Sequence, residues 1–315
     1  MSDRGEHRLI ENAAAWTEAE RAEAIREADI LLTAWDAPPV PLSLIAEPGQ
    51  LRYICHVNGE IRRIIDRPFI EAGFLVTNWG PAPGRRIAEG AVALLLASLK
   101  QIPEHVALKR GEGWTHPDPQ WTGSLDGLPV GIYGFGVIGR ECARLLKAFG
   151  SDLVVFDPYS KEGMEGIERA DSLATLFSKC AAVVIAAGLN DETRHSVGAS
   201  LLSLLPDGGI VVNVARGAIV DQAALLAEVR QGRLRAALDV LDTDGEDWMP
   251  PENPDRLLSH LILTAHTVGG ASWNRTISGN KLNDAQSICL SNLDRFMAGE
   301  PPLYSFDLQR YDRST

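Results

Sequence analysis

Short apolar runs alternate along this chain with segments in which apolar residues recur at helical spacing. The runs PVGIYGF, DLVVFD and AAVVIAA begin at residues 129, 152 and 181, and GIVVNVA, AALDVL and LILTAH continue the pattern. Such runs, rich in β-branched residues and without strict alternation, are typical of strands covered on both faces. Helical segments at 140–149, 172–178 and 221–231 separate them. We therefore predict a doubly wound parallel sheet.

The N-terminal part predicts a smaller unit of the same kind. A helical stretch at 18–28 precedes the strand-like runs DILLTAW, RYICHV and FLVTNW. The apolar segment 87–102 predicts a crossover helix, and a last helix at 284–297 returns the chain to the first unit. The predicted fold class is α/β with two domains. The larger covers 80–275, and the smaller is discontinuous, at 1–79 and 276–315.

Length and composition fit two globular domains and exclude several classes of partner. The 315 residues suffice for two cores, and the 45% hydrophobic and 23% charged fractions are ordinary values. A net charge of −12 disfavours nucleic acid and anionic membrane surfaces as partners. The longest apolar run, residues 91–99, is shorter than the roughly 20 residues that span a bilayer. The charged N-terminus resembles no export signal, so we expect a cytoplasmic protein.

The cysteine spacing indicates reduced thiols. Cys55, Cys142, Cys180 and Cys289 lie far apart and form no CxxC pair. This spacing argues against a zinc site and against a disulfide framework. We expect no bound metal.

A glycine-rich turn, GFGVIG, follows one predicted strand and opens a helix. Gly134 would make the tight turn, Gly136 would let the backbone approach a pyrophosphate, and Gly139 would let helix and strand pack closely. Asp157 ends the next strand, 18 residues after Gly139. A carboxylate there accepts both ribose hydroxyls and repels a 2′-phosphate. The combination predicts NAD rather than NADP as the cofactor.

Two further residues follow buried strands. Arg216 occurs in NVARG, and its planar guanidinium matches a carboxylate in two hydrogen bonds. His266 ends LILTAH and can exchange a proton with a carbonyl. Taken singly, Arg216 fits a structural ion pair equally well, and a lone histidine in the position of His266 is more often a core residue than a catalyst. Both follow the carboxyl ends of predicted parallel strands, where ligands of such sheets bind, so the series predicts 2-oxo acid and 2-hydroxy acid redox chemistry.

The chain resembles the D-isomer-specific 2-hydroxyacid dehydrogenases, a family that includes phosphoglycerate, glycerate and D-lactate dehydrogenases. The resemblance covers nearly the whole chain and is carried, in order, by FLVTNWGPAPGRRIAE, IPEHVALKRGEGW, LPVGIYGFGVIG, LNDETR, VNVARGAIVD, AALDV and LTAHTVGG. It implies a Rossmann cofactor domain, a smaller flavodoxin-like substrate domain, and a homodimer formed mainly through the cofactor domain. It also implies an NAD-dependent oxidoreductase acting on a small D-2-hydroxy acid or its 2-oxo acid.

The resemblance assigns roles to individual residues. Arg216 would hold the substrate carboxylate and carbonyl, His266 would be the general acid in reduction and base in oxidation, and Asp239 would bind the nicotinamide carboxamide. Cofactor contacts are implied for Gly134, Gly136, Val137, Ile138, Gly139, Asp157, Gly188, Val214, Ala215, Arg216, Asp239, His266 and Gly269. Substrate contacts are implied for Asn58, Gly59, Glu60, Trp79, Arg216 and His266.

The acidic partner of the histidine departs from the family pattern. The family has a glutamate five residues after the ALDV aspartate. Counting from Asp239 gives Asp244, whereas aligning DWMPPENP with the downstream segment gives Asp247, and Glu246 lies between. We favour Asp244, since the upstream strand fixes its position. A solvated acidic loop without contact to His266 is the alternative.

The substrate loop and the N-terminus depart as well. The loop VNGEIRR keeps Gly59 but has Glu60 and Ile61 where the family has small residues, so Arg62 or Arg63 either compensates by reaching the substrate or lies on the surface. Trp79, where a small residue is usual, either narrows the pocket or packs between domains. The family's first apolar strand is either missing here or reduced to the RLI of residues 8–10.

A second function class remains open, namely an NAD(H)-sensing scaffold or co-repressor-like protein that keeps the fold and binds partners. The altered loop and acid favour it, whereas the presence of both Arg216 and His266 opposes it. A formate dehydrogenase is a third possibility. It would place an amide beside the histidine, and none of Asp244, Glu246 and Asp247 supplies one.

Overall fold

The computed structural model describes residues 6–111, 122–160, 165–242, 260–270 and 284–313. The chain forms two compact units. The smaller comprises Met1–Pro83 with Ser272–Thr315, and the larger comprises Gly84–Ala271.

The strands are short and belong to two sheets. In chain order they are β1 (Ile30–Thr33), β2 (Tyr53–His56), β3 (Leu75–Thr77), β4 (Pro129–Tyr133), β5 (Asp152–Phe156), β6 (Glu168–Arg169), β7 (Ala182–Ile185), β8 (Ile210–Asn213), β9 (Arg235–Leu238) and β10 (Leu261–Leu263). The helices are α1 (Glu18–Arg26), α2 (Ser43–Ala46), α3 (Arg67–Glu71), α4 (Gly84–Leu99), α5 (Ile102–Gly111), α6 (Val137–Ala148), α7 (Leu173–Lys179), α8 (Ala199–Leu202), α9 (Gln222–Arg230), α10 (Asp284–Met297) and α11 (Leu308–Arg313).

The smaller unit is built on a parallel sheet of order β1-β2-β3. Side chains of β2 alternate between two cores. Ile54 packs with the residues of α1 to α3, whereas Tyr53 and Cys55 pack with Cys289 and Leu293 of α10. This alternation is the period-two pattern of a strand covered on both faces. Residues 8–10 are not in a strand, so RLI does not extend the sheet.

The C-terminal segment completes the smaller unit. The Phe306 N–H donates to the Val76 carbonyl, at 2.9 Å, and Thr77 forms an isolated antiparallel bridge with Ser305. The hydroxyl of Tyr311 donates to the Ile65 carbonyl, also at 2.9 Å. These bonds tie the end of the chain to β3 and to the segment that precedes α3.

The larger unit holds a seven-stranded sheet of order β10-β9-β8-β7-β4-β5-β6, in which every described pair is parallel. One face is covered by α4 and α6 and the other by α7, α8 and α9, each through its own hydrophobic core. The chain adds β5 and β6 on one side of β4 and then β7 to β10 on its other side. The topological switch point of this doubly wound sheet therefore lies at β4. The predicted α/β fold class is confirmed.

Some element bounds differ from the sequence-based prediction. Helix α4 begins at Gly84 and ends at Leu99 rather than covering 87–102, because Gln101 adopts a left-handed backbone with φ 53° and a separate helix, α5, begins at Ile102. Strand β6 has two exposed residues and no apolar pattern that could predict it. No helix among the described residues combines the length and apolar character that crossing a bilayer requires.

Candidate active site

Three predicted residues follow three neighbouring strands of the larger sheet. Arg216 follows β8, Asp239 follows β9 and His266 follows β10. Strand β9 pairs with both β8 and β10, and neighbouring strands lie about 4.8 Å apart. Because the strands are parallel, their carboxyl ends meet at one edge of the sheet. Within the larger unit, the fold therefore brings the three residues together.

The loop that carries His266 is built around Asp239. Asp239 is 4% exposed, and its Oδ1 accepts hydrogen bonds from Thr264 Oγ1 at 2.6 Å and from the N–H groups of Thr267 and Val268 at 2.9 and 3.3 Å. The His266 N–H donates to the Asp239 carbonyl, at 2.8 Å. His266 has φ 56°, a left-handed conformation uncommon for residues other than glycine. Such backbone persists only where surrounding bonds over-determine it, and it is enriched at functional sites.

Helix α4 packs closely against the loop that carries His266. A Cβ on Gly90 would lie 2.4 Å from Cβ of Val268, and a Cβ on Gly269 would lie 2.7 Å from Cγ1 of Ile87. Nε of Arg86 donates to the Gly269 carbonyl at 3.3 Å. The loop can rest this closely on α4 only because both positions lack a side chain.

A buried amide shapes the turn that presents Arg216. Asn213, the last residue of β8, is 1% exposed. Its Oδ1 accepts from the Ala215 N–H at 3.0 Å and its Nδ2 donates to the Arg216 carbonyl at 2.9 Å. Val214 and Ala215 are buried, and Nη1 of Arg216 donates to the Ala215 carbonyl at 2.8 Å. Sequence reasoning missed Asn213, although a polar residue at the end of an apolar run was the available signal.

The glycine-rich turn has the geometry that its motif predicts. Gly134 has φ 94°, and a Cβ there would lie 2.5 Å from backbone atoms of Ala187. A Cβ on Gly139 would lie 2.0 Å from the Gly134 carbonyl oxygen. Gly136 is different, because a Cβ there would meet nothing within 4 Å. It precedes α6 as an N-cap without a side-chain cap, and the next residue, Val137, is exposed. The start of α6 therefore has no side-chain cap, and the space beside Gly136 is open, as an anion site at a helix N-terminus requires.

Asp157 follows β5 and joins the glycine-rich turn to the next loop. Its Oδ2 accepts from the Phe135 N–H at 2.7 Å, and its Oδ1 accepts from the N–H groups of Tyr159 and Ser160 at 2.8 and 3.0 Å. Three backbone donors thus hold the carboxylate at the carboxyl end of β5. An ionised carboxylate accepts about four hydrogen bonds, so capacity remains for a ligand hydroxyl.

The remaining predicted cofactor residues lie at the same edge of the larger sheet. Gly188 follows β7, and its carbonyl accepts from Thr193 Oγ1 at 2.8 Å. Ile138 lies in the first turn of α6. Downstream in the same loop, Nε2 of His195 lies 2.8 Å from Oδ2 of Asp242, which links the loop after β7 to the segment after β9.

The predicted substrate loop, residues 58–60, follows the central strand of the smaller sheet. Oδ1 of Asn58 accepts from the Trp35 N–H at 3.0 Å and its carbonyl accepts from the Trp79 N–H at 3.3 Å. The loop is therefore bonded to the residues that follow β1 and β3. A Cβ on Gly59 would lie 2.7 Å from the Trp79 ring, so Trp79 covers Gly59 within this unit. Glu60 is half-buried.

Asn78 and Arg310 also hold the loop at 58–60 in place. Asn78 is 6% exposed; its Nδ2 donates to the Gly59 carbonyl at 2.6 Å, and its Oδ1 accepts from the Gly80 N–H at 3.0 Å and from Nη2 of Arg310 at 2.7 Å. The Arg310 guanidinium lies 4.3 Å from the centroid of the Phe306 ring, and burial lowers its pKa. Sequence reasoning missed both residues. Arg310 could not be placed from the sequence, because only the returning C-terminal segment brings it to the loop.

Two residues that follow this loop, Ile61 and Arg62, do not lie where the sequence suggested. Ile61 is fully buried in the core of the smaller unit and does not face the loop's surface. Arg62 donates to the carbonyls of Tyr311 and Asp312 at 3.0 and 2.6 Å, and its guanidinium lies over the Tyr311 ring. It therefore anchors the C-terminal helix rather than lying free on the surface. The three candidate acidic partners of His266, which are Asp244, Glu246 and Asp247, lie outside the described residues.

His56 is the other notable titratable group beside the loop. It is fully buried, and its Nδ1 lies 2.9 Å from Oγ1 of Thr33. Burial lowers the pKa of the imidazole from 6.5 to about 4, so the ring is neutral at physiological pH.

Comparison with known proteins identifies the family. The model for the D-isomer specific 2-hydroxyacid dehydrogenase, NAD binding domain, matches residues 92–268. This segment contains the glycine-rich turn, Arg216 and His266. The chain belongs to this family. The predicted family and its NAD cofactor are thereby confirmed, and the family is one of oxidoreductases.

Individual relatives carry related activities. The chain is 32% identical to the D-3-phosphoglycerate dehydrogenase of Methanocaldococcus jannaschii over 82% of its own length and 49% of that protein. It is 31% identical to the hydroxypyruvate reductase of Thermotoga maritima, over 78% of this chain and 80% of that protein. The chain thus spans about half the length of the phosphoglycerate dehydrogenases that it matches. Among solved structures, the 2-hydroxyacid dehydrogenase of Ketogulonicigenium vulgare Y25 superposes with a TM-score of 0.75 at 25% identity, covering 91% of this chain and 87% of that one.

Proposed function

We propose that this chain is an NAD-dependent oxidoreductase that interconverts a small D-2-hydroxy acid and its 2-oxo acid. The observation that carries the proposal is the placement of Arg216 and His266 after β8 and β10, on either side of Asp239 at one edge of the larger sheet. A cation for a carboxylate and a proton donor for a carbonyl are the two groups that this chemistry needs from the protein.

The larger unit fits a dinucleotide. The open face of Gly136 and the uncapped start of α6 suit a pyrophosphate, and Asp157 suits the ribose hydroxyls. Val137, Ile138, Gly188, Val214, Ala215 and Gly269 would complete the lining, with Asp239 binding the carboxamide through Oδ2, since Oδ1 takes the three loop bonds. When bound, the reduced cofactor supplies the hydride.

Arg216 would bind the substrate carboxylate and polarise its carbonyl. The Asn213 bonds and the buried Val214 and Ala215 hold its backbone in place, and the bond from Nη1 to the Ala215 carbonyl holds its guanidinium. Preorganised charge of this kind stabilises negative charge as it develops on the carbonyl oxygen.

His266 would donate a proton to the carbonyl oxygen in reduction and accept it in oxidation. An acidic partner would orient its ring, and Asp244 is our candidate for this role. The loop at 58–60 and Trp79 would contact the rest of the acid. In this proposal, residues 80–275 act as the dinucleotide-binding domain, residues 1–79 and 276–315 act as the substrate domain, and two copies pair through the larger domain.

The proposal is tested by following NADH absorbance with glyoxylate, hydroxypyruvate, pyruvate and phenylpyruvate. We expect turnover of at least one acid. His266→Asn should lower kcat by about 10²–10⁴-fold and leave NADH affinity within a few-fold, since asparagine tolerates the left-handed backbone at this position. His195→Asn is the matched control and should keep kcat. Equal loss of kcat and NADH affinity in His266→Asn would mean that the residue is structural.

Arg216→Ala separates an enzyme from a non-catalytic NAD(H)-sensing scaffold. An enzyme should lose turnover in this variant and keep NADH binding. Tight NADH binding by the wild type without turnover of any of the four acids would contradict the dehydrogenase.

A further inference from the structure

The loop that follows β5 is bordered by two arginines from different elements of the larger unit. Arg140 lies in α6, one residue after Gly139, and Arg169 lies in β6, which pairs with β5. Both donate hydrogen bonds to the loop at 157–160, which begins with Asp157. We call Arg140 and Arg169 the arginine pair. Arg169 is exposed, and Arg140 and Asp157 are half-buried, so the loop is accessible to a ligand.

The arginine pair bonds the loop through neutral acceptors. Nη2 of Arg169 donates to the carbonyls of Asp157 and Ser160, at 3.0 and 2.5 Å. Nη2 of Arg140 donates to Oγ of Ser160 at 3.0 Å, and its guanidinium lies 4.7 Å from the centroid of the Phe135 ring. These bonds hold both guanidinium groups beside the loop without cancelling their charge. They also use only one of the three nitrogens of Arg169, and an arginine offers five N–H donors.

Ser160 joins the arginine pair to the carboxylate of Asp157. Its N–H donates to Oδ1 of Asp157 at 3.0 Å, its hydroxyl accepts from Arg140, and its carbonyl accepts from Arg169. One residue thus contacts one anion and two cations. The position that we assign to the adenosine ribose is therefore next to charges of both signs.

These charges have opposite effects on the two nicotinamide cofactors. In doubly wound domains, an acidic residue at this position bonds the ribose 2′-hydroxyl of NAD, whereas an arginine nearby accommodates the 2′-phosphate of NADP. This chain has both kinds of residue. A planar guanidinium matches a phosphate in two hydrogen bonds, and the 2′-hydroxyl of NAD requires no such cation.

We propose that the arginine pair forms a 2′-phosphate site that the charge of Asp157 keeps closed to NADP(H). The preference for NAD then depends on one carboxylate, and NADPH binds once that charge is removed. This inference rests on the proposed function, because it takes Asp157 to receive the adenosine ribose. It goes further by naming the residues that decide between the two cofactors.

The test measures dissociation constants of NADH and NADPH by fluorescence titration, without any turnover. The wild type should bind NADH at least tenfold more tightly than NADPH. Asp157→Asn keeps a side-chain oxygen for the N–H groups of Tyr159 and Ser160 and loses the charge. This variant should bind NADPH at least tenfold more tightly than the wild type does, and NADH several-fold less tightly.

The arginine pair is tested in the Asp157→Asn background. Adding Arg140→Ala or Arg169→Ala should weaken NADPH binding at least tenfold and NADH binding less than threefold. Arg144→Ala is the matched control, because Arg144 lies one turn further along α6 and pairs with Glu141; it should change neither constant. Added salt should weaken NADPH binding more than NADH binding, since the extra contact joins exposed charges.

Two results would overturn the inference while leaving the dehydrogenase intact. One is no gain in NADPH affinity in an Asp157→Asn protein that unfolds at the wild-type temperature. The other is an equal loss of NADH and NADPH affinity when either arginine is removed, which would mean that the arginine pair only holds the loop.

A variant in the wild-type background decides the question if Asp157→Asn unfolds at a lower temperature. Arg169→Ala should then raise the ratio of the NADPH to the NADH dissociation constant at least threefold, and an unchanged ratio would overturn the inference. Absence of NADH binding by the wild type would instead overturn the cofactor site of the proposed function, and the inference with it.

Discussion

The backbone N–H of His266 donates a 2.8 Å hydrogen bond to the carbonyl of Asp239, and the side chain of the same aspartate accepts from Thr264, Thr267 and Val268. One buried residue therefore bonds on both sides of the histidine and holds its left-handed backbone. In the proposed function, Asp239 binds the carboxamide and His266 moves the proton. The two roles would then be coupled through a single loop rather than through two independent elements.

Replacing two glycines of the glycine-rich turn by alanine should impair different properties, namely folding stability at Gly139 and NADH affinity at Gly136. Gly139→Ala places a Cβ 2.0 Å from the Gly134 carbonyl oxygen and should destabilise the fold, whereas Gly136→Ala meets nothing within 4 Å and should fold normally. If a pyrophosphate approaches Gly136, that variant should still bind NADH at least tenfold more weakly. Thermal unfolding and NADH fluorescence titration of both variants check this expectation. Unchanged NADH affinity in Gly136→Ala would remove the pyrophosphate from this position.

Asn213→Ala should impair the Arg216 turn beyond its effect on stability. It removes two bonds to the backbone of Ala215 and Arg216, and stranding buried polar groups costs about 1–3 kcal/mol. Asn292→Ala is the matched control, because Asn292 is fully buried and also makes two backbone bonds, both to Leu303. Both variants should unfold at lower temperature. Only Asn213→Ala should also lower kcat/KM of the folded protein by about tenfold or more, and equal kcat/KM in the two would show that Asn213 acts on stability alone.

Arg310→Ala should weaken binding of the acid without affecting NADH. The guanidinium bonds Asn78, which in turn bonds the Gly59 carbonyl of the proposed substrate loop. Without it the loop loses one fixed contact, so we expect KM for the oxo acid to rise several-fold while the NADH dissociation constant stays within twofold. Arg8→Ala, at an exposed arginine of the same unit that pairs with Glu27, should leave both quantities unchanged. A higher NADH dissociation constant in Arg310→Ala would indicate a general loss of structure.

His56 should make the protein less stable as the pH falls from about 7 to about 4. Its pKa is lowered by burial from 6.5 to about 4 in the folded state, so the unfolded chain binds more protons throughout this window and the free energy of unfolding decreases. The full effect is about 3 kcal/mol, reached near pH 4. Urea unfolding between pH 4.5 and 7.5 should show a weaker pH dependence in His56→Gln than in the wild type. Identical slopes in the two proteins would show that His56 does not titrate as expected.

The local pattern of the sequence determined the strands and the larger sheet. Apolar runs such as IVVN and AVVI are buried along their whole length, and a continuous run of this kind fits only a strand covered on both faces. Helix α10 covers 284–297, as its spacing predicted, and the short helix α11 that follows it was not predicted. Gly134 and Gly139 were also readable from the sequence, since their conformation depends on a few neighbouring residues.

The tertiary structure alone decided which distant residues touch. Arg310 meets Asn78 across 232 positions, and Arg62 meets the Tyr311 carbonyl across 249. The Trp35 ring contacts the rings of His56 and Trp79 because three separate strands end at the same edge of the smaller sheet. Periodicity reports the environment of a residue but not its partner, because contacts between distant segments arise only when sheets and helices pack. The sequence thus determined the fold class and the glycine-rich turn, and packing determined what surrounds Arg216, His266 and the substrate loop.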